Sequence, residues 1–261
     1  MNRLKAALQY FQYYIKSNTK HAIHPPFAYT LLTEVILDRK FKQAYTLPEI
    51  IRKEMLKNKL SIEIEDLGAG SINNFKKNRN IKNIAKYSLK SPKYAQLIYR
   101  LAKHFQPNNI IEIGTSLGIT SVYLAQAIPN GKVITIEGCR KTAAIAQQNF
   151  NNHHIANIEI ANKNFDEALP LILNNLNKVE FVFFDGNHRK EPTLNYFNLC
   201  LQNASNDSVF VFDDIHWSEE MDEAWKCIQQ NESVTLTLDL HFLGIVFFKK
   251  ELSKQNFLIR F

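Results

Sequence analysis

The residues best placed for chemistry lie in Glu112-Ile-Gly114-Thr115-Ser116-Leu-Gly118 and, further on, in Glu137-Gly138. Gly114 and Gly118 bracket a turn that carries two hydroxyls. Ile110, Ile111 and Ile113 before it read as a short buried parallel strand. Ile119 to Ala127 after it carries apolar residues at helical spacing. Val133, Ile134 and Ile136 make a second strand with Glu137 at its carboxyl end. In a doubly wound sheet the turn and Glu137 reach the same rim of adjacent strands, where ligands bind. A carboxylate there suits a ribose, because it can accept hydrogen bonds from both hydroxyls. Asp185 closes a fourth apolar run, Val179 to Phe184, and Gly186-Asn187-His188 follow it. Asp213-Asp214 close a fifth, Val209 to Phe212. An Asp at a strand end is often a cap or turn former, but its place on the ligand rim favours a functional role for Asp185. His216 and Trp217 follow directly, either lining an acceptor pocket or packing at a helix start.

These residues need alternating strands and helices to hold them. Helices are expected over Lys141–Asn151, Asp166–Leu176 (interrupted near Pro170), Pro192–Leu201 and Trp217–Gln229, with a third strand at Ile158–Ala161. No helix fits between Val234–Leu240 and Ile245–Phe248, so these two should pair antiparallel. The fold class is α/β: a Rossmann-like doubly wound seven-stranded sheet with an antiparallel C-terminal strand, preceded by a helical N-terminal extension. The expected boundary lies near residue 90. Residues 1–90 are then a basic helical extension, a substrate cover or lid, and residues 91–261 the ligand-binding domain.

Within the extension, Leu4, Ala7, Leu8, Phe11 and Ile15 follow helical spacing, and this face is expected to pack on the main domain. A membrane-surface role has only Arg3, Lys5 and Lys16 behind it. His21 and His24 read as ordinary loop histidines. Further helices are expected over Phe27–Asp38, from Thr46-Leu-Pro48, and from Ser91-Pro92, where Ser91 caps and Pro92 takes the first position. Asp66-Leu-Gly-Ala-Gly-Ser71 is a weak match to a nucleotide turn. With Lys76 and Lys77 it reads as a flexible loop or as a mobile basic lid.

The net charge of +7 is uneven. Residues 1–104 hold 20 Lys or Arg against 7 Asp or Glu, and the remainder 12 against 18. That can mark an acidic partner or merely solvated helix faces. Cys139, Cys200 and Cys227 are scattered and odd in number, which argues for a reducing compartment. No apolar run approaches the ~20 residues that cross a bilayer. A cytoplasmic protein without stable membrane insertion is expected.

Taken together, the pattern over about residues 90–250 resembles class I S-adenosylmethionine-dependent methyltransferases. Within them it is similar to the small-molecule O-methyltransferases of the catechol O-methyltransferase type. The resemblance implies that Glu112, Gly114, Thr115, Ser116 and Gly118 take the methionine part of the cofactor and that Glu137 and Gly138 hold the ribose. Asn164 stands where these families often place an Asp beside the adenine. A dehydrogenase fits less well. Its Gly-x-Gly-x-x-Gly turn makes room for a pyrophosphate, whereas Glu112 would repel phosphates and suits the cofactor's cationic amino end. In metal-dependent relatives an Asp after the fourth strand and an Asp-Asn pair after the fifth bind a divalent ion. The matching residues are Asp185, Asp213 and Asp214, an oxygen set suited to Mg²⁺ or Ca²⁺, with Asp214 departing from Asn. His188 stands where the relatives carry a catalytic Lys, and a histidine can serve as the general base. The expected activity is O-methylation of a small-molecule acceptor. The alternatives are a tRNA or rRNA methyltransferase using the basic segment that includes Lys82, Lys86, Lys90 and Lys93, and a non-catalytic cofactor-binding or scaffold protein. A homodimer is compatible with each.

Overall fold

The structure, a computed structural model, describes residues 3–64 and 78–261, with side chains from Leu8 onward. Its helices are α1 (Arg3–Lys16), α2 (Pro26–Thr30, continued by a π-helical turn over Leu31–Ile36), α3 (Thr46–Lys57), α4 (Ile81–Ser88), α5 (Pro92–Phe105), α6 (Ile119–Ala127), α7 (Arg140–Asn152), α8 (Phe165–Asn174), α9 (Lys190–Leu201) and α10 (Glu219–Gln230). Strands β1 (Ser61–Glu63) and β2 (Asn78–Asn80) pair antiparallel as a small separate ribbon. The Gly/basic stretch expected to act as a loop or lid lies mostly between them, outside the described residues. The remaining strands are β3 (Asn109–Ile113), β4 (Lys132–Ile136), β5 (Ile158–Ala161), β6 (Val179–Phe184), β7 (Ala204–Asp213), β8 (Leu236–Asp239), β9 (Leu243–Phe247) and β10 (Gln255–Leu258). They form one mostly parallel sheet in the order β10-β8-β9-β7-β6-β3-β4-β5. The α/β class is therefore as expected, and the sheet has eight strands rather than seven.

The chain divides into two compact units, residues 40–177 with 185–187, and residues 1–39 with 178–184 and 188–261. In the first of these, β4 lies between β3 and β5, all parallel. α6 is apolar on every side, and all but one of its nine residues are buried. Such a helix belongs in a core, not on a surface. Tyr123 on α6 donates to Glu49 of α3 at 2.8 Å, and Glu49 also pairs with Arg52 at 2.9 Å. α5 begins at Pro92 after Ser91, in extended conformation, as expected. Ser91 is the capping residue by position, but its hydroxyl makes no capping hydrogen bond. α8 runs unbroken through Pro170. The Asn164 side chain accepts from the Asp166 amide at 3.2 Å, which stabilises the start of a helix that lacks only one ladder bond at the proline.

In the other unit β6 and β7 are parallel, and β9 runs antiparallel to both β7 and β8. The expected C-terminal hairpin is thus present. Phe181, Phe183, Phe210 and Phe212 are fully buried, which is why these strands read as continuous apolar runs rather than alternating ones. Ser218 caps α10 by accepting from the Met221 amide, and Glu219, Glu220 and Asp222 sit in its first turn, where the helix dipole favours acids. β10, the unexpected eighth strand, runs parallel to β8. It also ties down the chain's beginning: the Asn18 amide donates to Leu258 O at 2.7 Å and the Arg260 amide to Asn18 O at 3.0 Å. The Tyr13 hydroxyl, 246 residues away in sequence, donates to Ile259 O. This corrects the orientation expected for α1. Among its described side chains, from Leu8 onward, the buried one is Tyr13, at 6% exposure, while Leu8, Phe11 and Ile15 are 55%, 61% and 62% exposed.

Candidate active site

The turn after β3 is built by backbone hydrogen bonds. The amides of Gly114 and Thr115 both donate to Ile136 O, at 3.0 and 3.1 Å, and the Gly118 amide returns to Thr115 O at 2.9 Å. Gly114 has φ +106°, and a Cβ there would lie 2.2 Å from the Asp185 carbonyl oxygen. The position therefore requires glycine twice over, for conformation and for space. Gly118, at φ +81°, starts α6 in the left-handed region.

Glu112 lies fully buried beneath this turn. Its Oε2 accepts from Ser121 Oγ and, at 2.7 Å, from Thr135 Oγ1. Thr115 Oγ1 in turn contacts Thr135 Oγ1 at 2.6 Å. The other oxygen, Oε1, is buried with no hydrogen-bond partner among the described residues. Burial pushes the Glu112 carboxyl up to about 7, against the pull of its two hydroxyl donors and with a further push from Glu137. Glu137 closes β4. Its Oε2 accepts from the Ser116 amide and its Oε1 from the Cys139 amide, each at 2.9 Å. Burial raises this carboxyl too, and the two amides oppose the rise. Each oxygen keeps a second lone pair, the capacity that two ribose hydroxyls need. Asn162 donates to Glu137 O at 2.7 Å and fixes the strand end ahead of Gly138. Asn164 is half-buried and its side-chain oxygen accepts from the start of α8, which leaves its amide nitrogen and the oxygen's second lone pair able to meet a ligand. The Asp185 amide donates to Ile113 O at 2.9 Å, next to Gly114.

These groups fit S-adenosylmethionine. The buried Glu112 oxygen without a donor, the turn held to glycine at Gly114, and a bonded carboxylate at the next strand end match a cationic amino acid joined to a ribose. Ser121, Thr135 and the amides of Ser116 and Cys139 support the two acids; of these residues only Ser116 was singled out from sequence, and for the cofactor rather than for Glu137. A hydroxyl nine residues after an acid carries no recognisable motif.

Asp185, His188 and Asp213 offer ligand atoms that all lie within 4.8 Å of one another, with Asp213 buried. This is the one group of three or more potential metal ligands among the described residues, and His188 takes the third place in it. Asp214, expected as the third ligand, is not in that group. It adopts φ +51°, its amide donates to Phe242 O at 2.7 Å, and its carbonyl accepts from the Trp217 amide. A left-handed position of this kind accepts Asp and Asn more readily than other side chains, so the backbone by itself accounts for the residue type. His21 and His24 are both exposed.

Beyond the end of β7, His216 is clamped between two carboxylates. Nδ1 meets Asp222 and Nε2 lies 2.8 Å from Asp239 Oδ2. Burial works against the charged ring, but Asp239 and Asp222 outweigh it and raise His216 above its ordinary value. Asp239 Oδ2 also accepts from Trp225 Nε1 at 3.0 Å, and Oδ1 from the His241 amide at 2.8 Å. His241 stacks on His216 with ring centroids 5.5 Å apart, and burial together with the neighbouring His216 lowers it. Trp217 is 47% exposed, so the buried indole here is Trp225. Asp239 ends β8 as a buried acid, a signal that sequence reasoning passed over.

Comparison with known proteins agrees with this geometry. A family described as "Methyltransferase domain" matches residues 111–215. A catechol O-methyltransferase of Niastella koreensis is 30% identical over 128 residues, covering 48% of this chain and 57% of that protein. An uncharacterised mimivirus protein is also 30% identical, covering 48% of this chain and 62% of its own length. The chain thus spans less than two thirds of the length of these relatives. Among solved structures, an O-methyltransferase of Bacillus cereus in complex with S-adenosylhomocysteine matches with a TM-score of 0.56 at 18% identity, over 84% of this chain and 96% of that one. An O-methyltransferase of Streptomyces achromogenes in complex with S-adenosylmethionine matches equally, at 0.56 and 19%, over 85% and 94%. The latter two likenesses establish the fold. The chain is thus similar to a methyltransferase domain over residues 111–215 and to a catechol O-methyltransferase over 128 residues.

Proposed function

We propose that this protein transfers the methyl group of S-adenosylmethionine to a hydroxyl oxygen of a small molecule. The observation that carries the reading is the cradle of Gly114, the orphaned Glu112 oxygen and the doubly anchored Glu137. In the reaction the acceptor oxygen attacks the methyl carbon in line. The carbon–sulfur bond breaks with its electron pair going to sulfur, and the acceptor's proton passes to water. Glu112 neutralises the charge of the amino end, Glu137 orients the ribose, and the turn from Gly114 to Gly118 fixes the methyl group for alignment. Asn164 is the residue for the adenine. Residues 1–90 are assigned as the acceptor cover and 91–261 as the cofactor-binding domain.

Asp185, His188 and Asp213 are the residues that would hold a divalent cation. Such an ion supplies a lowered hydroxyl pKa and a fixed acceptor orientation. We assign His188 to that ligand set rather than to proton transfer, because a coordinating imidazole nitrogen is not free to take a proton. A catechol O-methyltransferase and two O-methyltransferases among the likenesses favour a hydroxylated small molecule over RNA. Cysteines without disulfides, two of the three buried, fit a cytoplasmic enzyme.

The test is calorimetric titration with S-adenosylmethionine, followed by turnover with labelled cofactor on catechol-type compounds and, separately, on bulk RNA. Binding with label entering the catechols is expected. No binding at millimolar cofactor would sink the reading. Binding with label only in RNA would transfer it to the nucleic-acid alternative, and binding without turnover on cell extract would leave a non-catalytic protein.

A further inference from the structure

We propose that α1 docks on an anionic phospholipid bilayer. The proposal is independent of the methyl-transfer reading and rests on how the helix is turned. Leu8, Phe11 and Ile15 stand three and four residues apart and so share one face, and they are 55%, 61% and 62% exposed. Tyr14 beside them is 47% exposed and Tyr10 40%. Single exposed apolar side chains are ordinary. Five large ones within two turns of one helix form a patch of the kind that marks an interaction site.

The orientation is held from the other side. Tyr13 is buried, with its ring 4.9 Å from His241, and its hydroxyl is bonded to Ile259 O. Tyr10 leans edge-on against His241 at 5.3 Å. Asn18 and Arg260 then pin the end of the helix to the strand end of β10. The apolar face is therefore presented from a fixed platform.

Charge selects the occupant. Residues 1–33 contain Arg3, Lys5, Lys16 and Lys20 and not one Asp or Glu; the first acid is Glu34. Lys16 and Lys20 are exposed. Arg260 adds a further cation, its guanidinium 4.2 Å from the Tyr14 ring centroid and bonded to Tyr14 O. An apolar stripe with aromatic residues, in a segment whose sequence holds cations and no acids, is the composition of a helix that lies in a membrane interface. Tyrosines suit that depth, because the ring is apolar and the hydroxyl stays wet. A second copy fits less well, since a two-fold contact through α1 would set one acid-free segment against another. No described helix is long and apolar enough to cross a membrane, so the contact proposed is with the surface.

The untagged full-length protein is sedimented with vesicles of phosphatidylcholine, with and without phosphatidylserine, at low and high salt. Co-sedimentation with the phosphatidylserine vesicles is expected, weakened by salt. Phe11→Ser with Ile15→Ser should reduce partitioning on the order of 100-fold, and Lys16→Gln with Lys20→Gln roughly tenfold or more. All four side chains are exposed, so far-UV circular dichroism should be unchanged. The proposal is overturned if the protein ignores both vesicles, or if the Phe11/Ile15 variant binds them as well as the natural chain. It is equally overturned if that variant only converts a dimer to a monomer in sedimentation velocity.

Discussion

Replacing Glu112 by Gln should make the cofactor-free protein more stable at alkaline pH. The carboxyl is fully buried and accepts only two hydroxyl hydrogen bonds, both on Oε2, and burial pushes it from 4.5 up to about 7. A carboxyl raised in this way favours the folded state while it is protonated. That contribution is complete below the unfolded value near 4.5 and is lost as pH rises through about 7. Above pH 8 the folded protein must keep a desolvated charge that the unfolded chain keeps in water, at a cost of roughly 3 kcal/mol from that rise. Glutamine avoids the charge and still offers an oxygen to Ser121 and Thr135. Urea unfolding followed by tryptophan emission should give near-equal stabilities at pH 5. At pH 9 Glu112→Gln should be the more stable by up to about 3 kcal/mol. Parallel stability curves for the two proteins across that range would refute the argument. S-adenosylmethionine should reverse the order. Its cationic amino end stabilises the carboxylate, so the natural protein should gain more from saturating cofactor and should release a proton on binding near pH 6. That release is measured by calorimetry in buffers of different ionisation enthalpy.

Other perturbations test the remaining parts. Gly114→Ala forces a Cβ to within 2.2 Å of the Asp185 carbonyl at φ +106°; it should cost about 2 kcal/mol or more in stability and weaken cofactor binding at least roughly tenfold by calorimetry. Asp213→Asn should weaken cation binding by about tenfold or more, while leaving S-adenosylmethionine affinity in cation-free buffer unchanged. Asp239→Asn breaks a carboxylate shared by His216, Trp225 and the His241 amide. It should destabilise the fold by about 3 kcal/mol in urea unfolding, with a shift in Trp225 emission.

The stretch from β3 to β4 was legible because several independent constraints coincide there: an apolar run, a glycine turn, a helical period and a second run ending in an acid. β8 and β9 were legible for a different reason, since no helix fits the three residues between them. The orientation of α1 was not. Its period defined a face but not which side of the helix is buried, and that is decided by Tyr13 reaching Ile259, 246 residues away. β10 escaped for want of pattern: Gln-Asn-Phe-Leu neither alternates nor runs apolar, and the strand exists because the β8 edge is available to it. The partners of Glu112 and Glu137 escaped because hydroxyls and backbone amides carry no motif. Asp214 is a different case, where a family pattern offers a ligand role at a position whose residue type the left-handed backbone also explains.

The place of His188 beside Asp185 and Asp213 leads to a discriminating experiment on the cation. Three carboxylates would make an all-oxygen set that suits Mg²⁺ or Ca²⁺. Exchanging one carboxylate for an imidazole removes a negative charge and adds a softer nitrogen donor, which shifts preference toward transition metals. If the group within 4.8 Å is a binding site, calorimetry on the natural protein should show Mn²⁺ held more tightly than Ca²⁺. His188→Gln keeps an oxygen donor of similar reach but removes the nitrogen. It should weaken Mn²⁺ by about 10–100-fold and Ca²⁺ much less, so the preference narrows. Turnover of the variant should recover as Mn²⁺ is raised, because only occupancy was lost. A general base at this position predicts the reverse: both affinities unchanged and a low kcat that no concentration of cation restores. Equal Mn²⁺ and Ca²⁺ affinities in the natural protein, together with that unrescued kcat, would return His188 to proton transfer and leave the two aspartates to hold a cation without it.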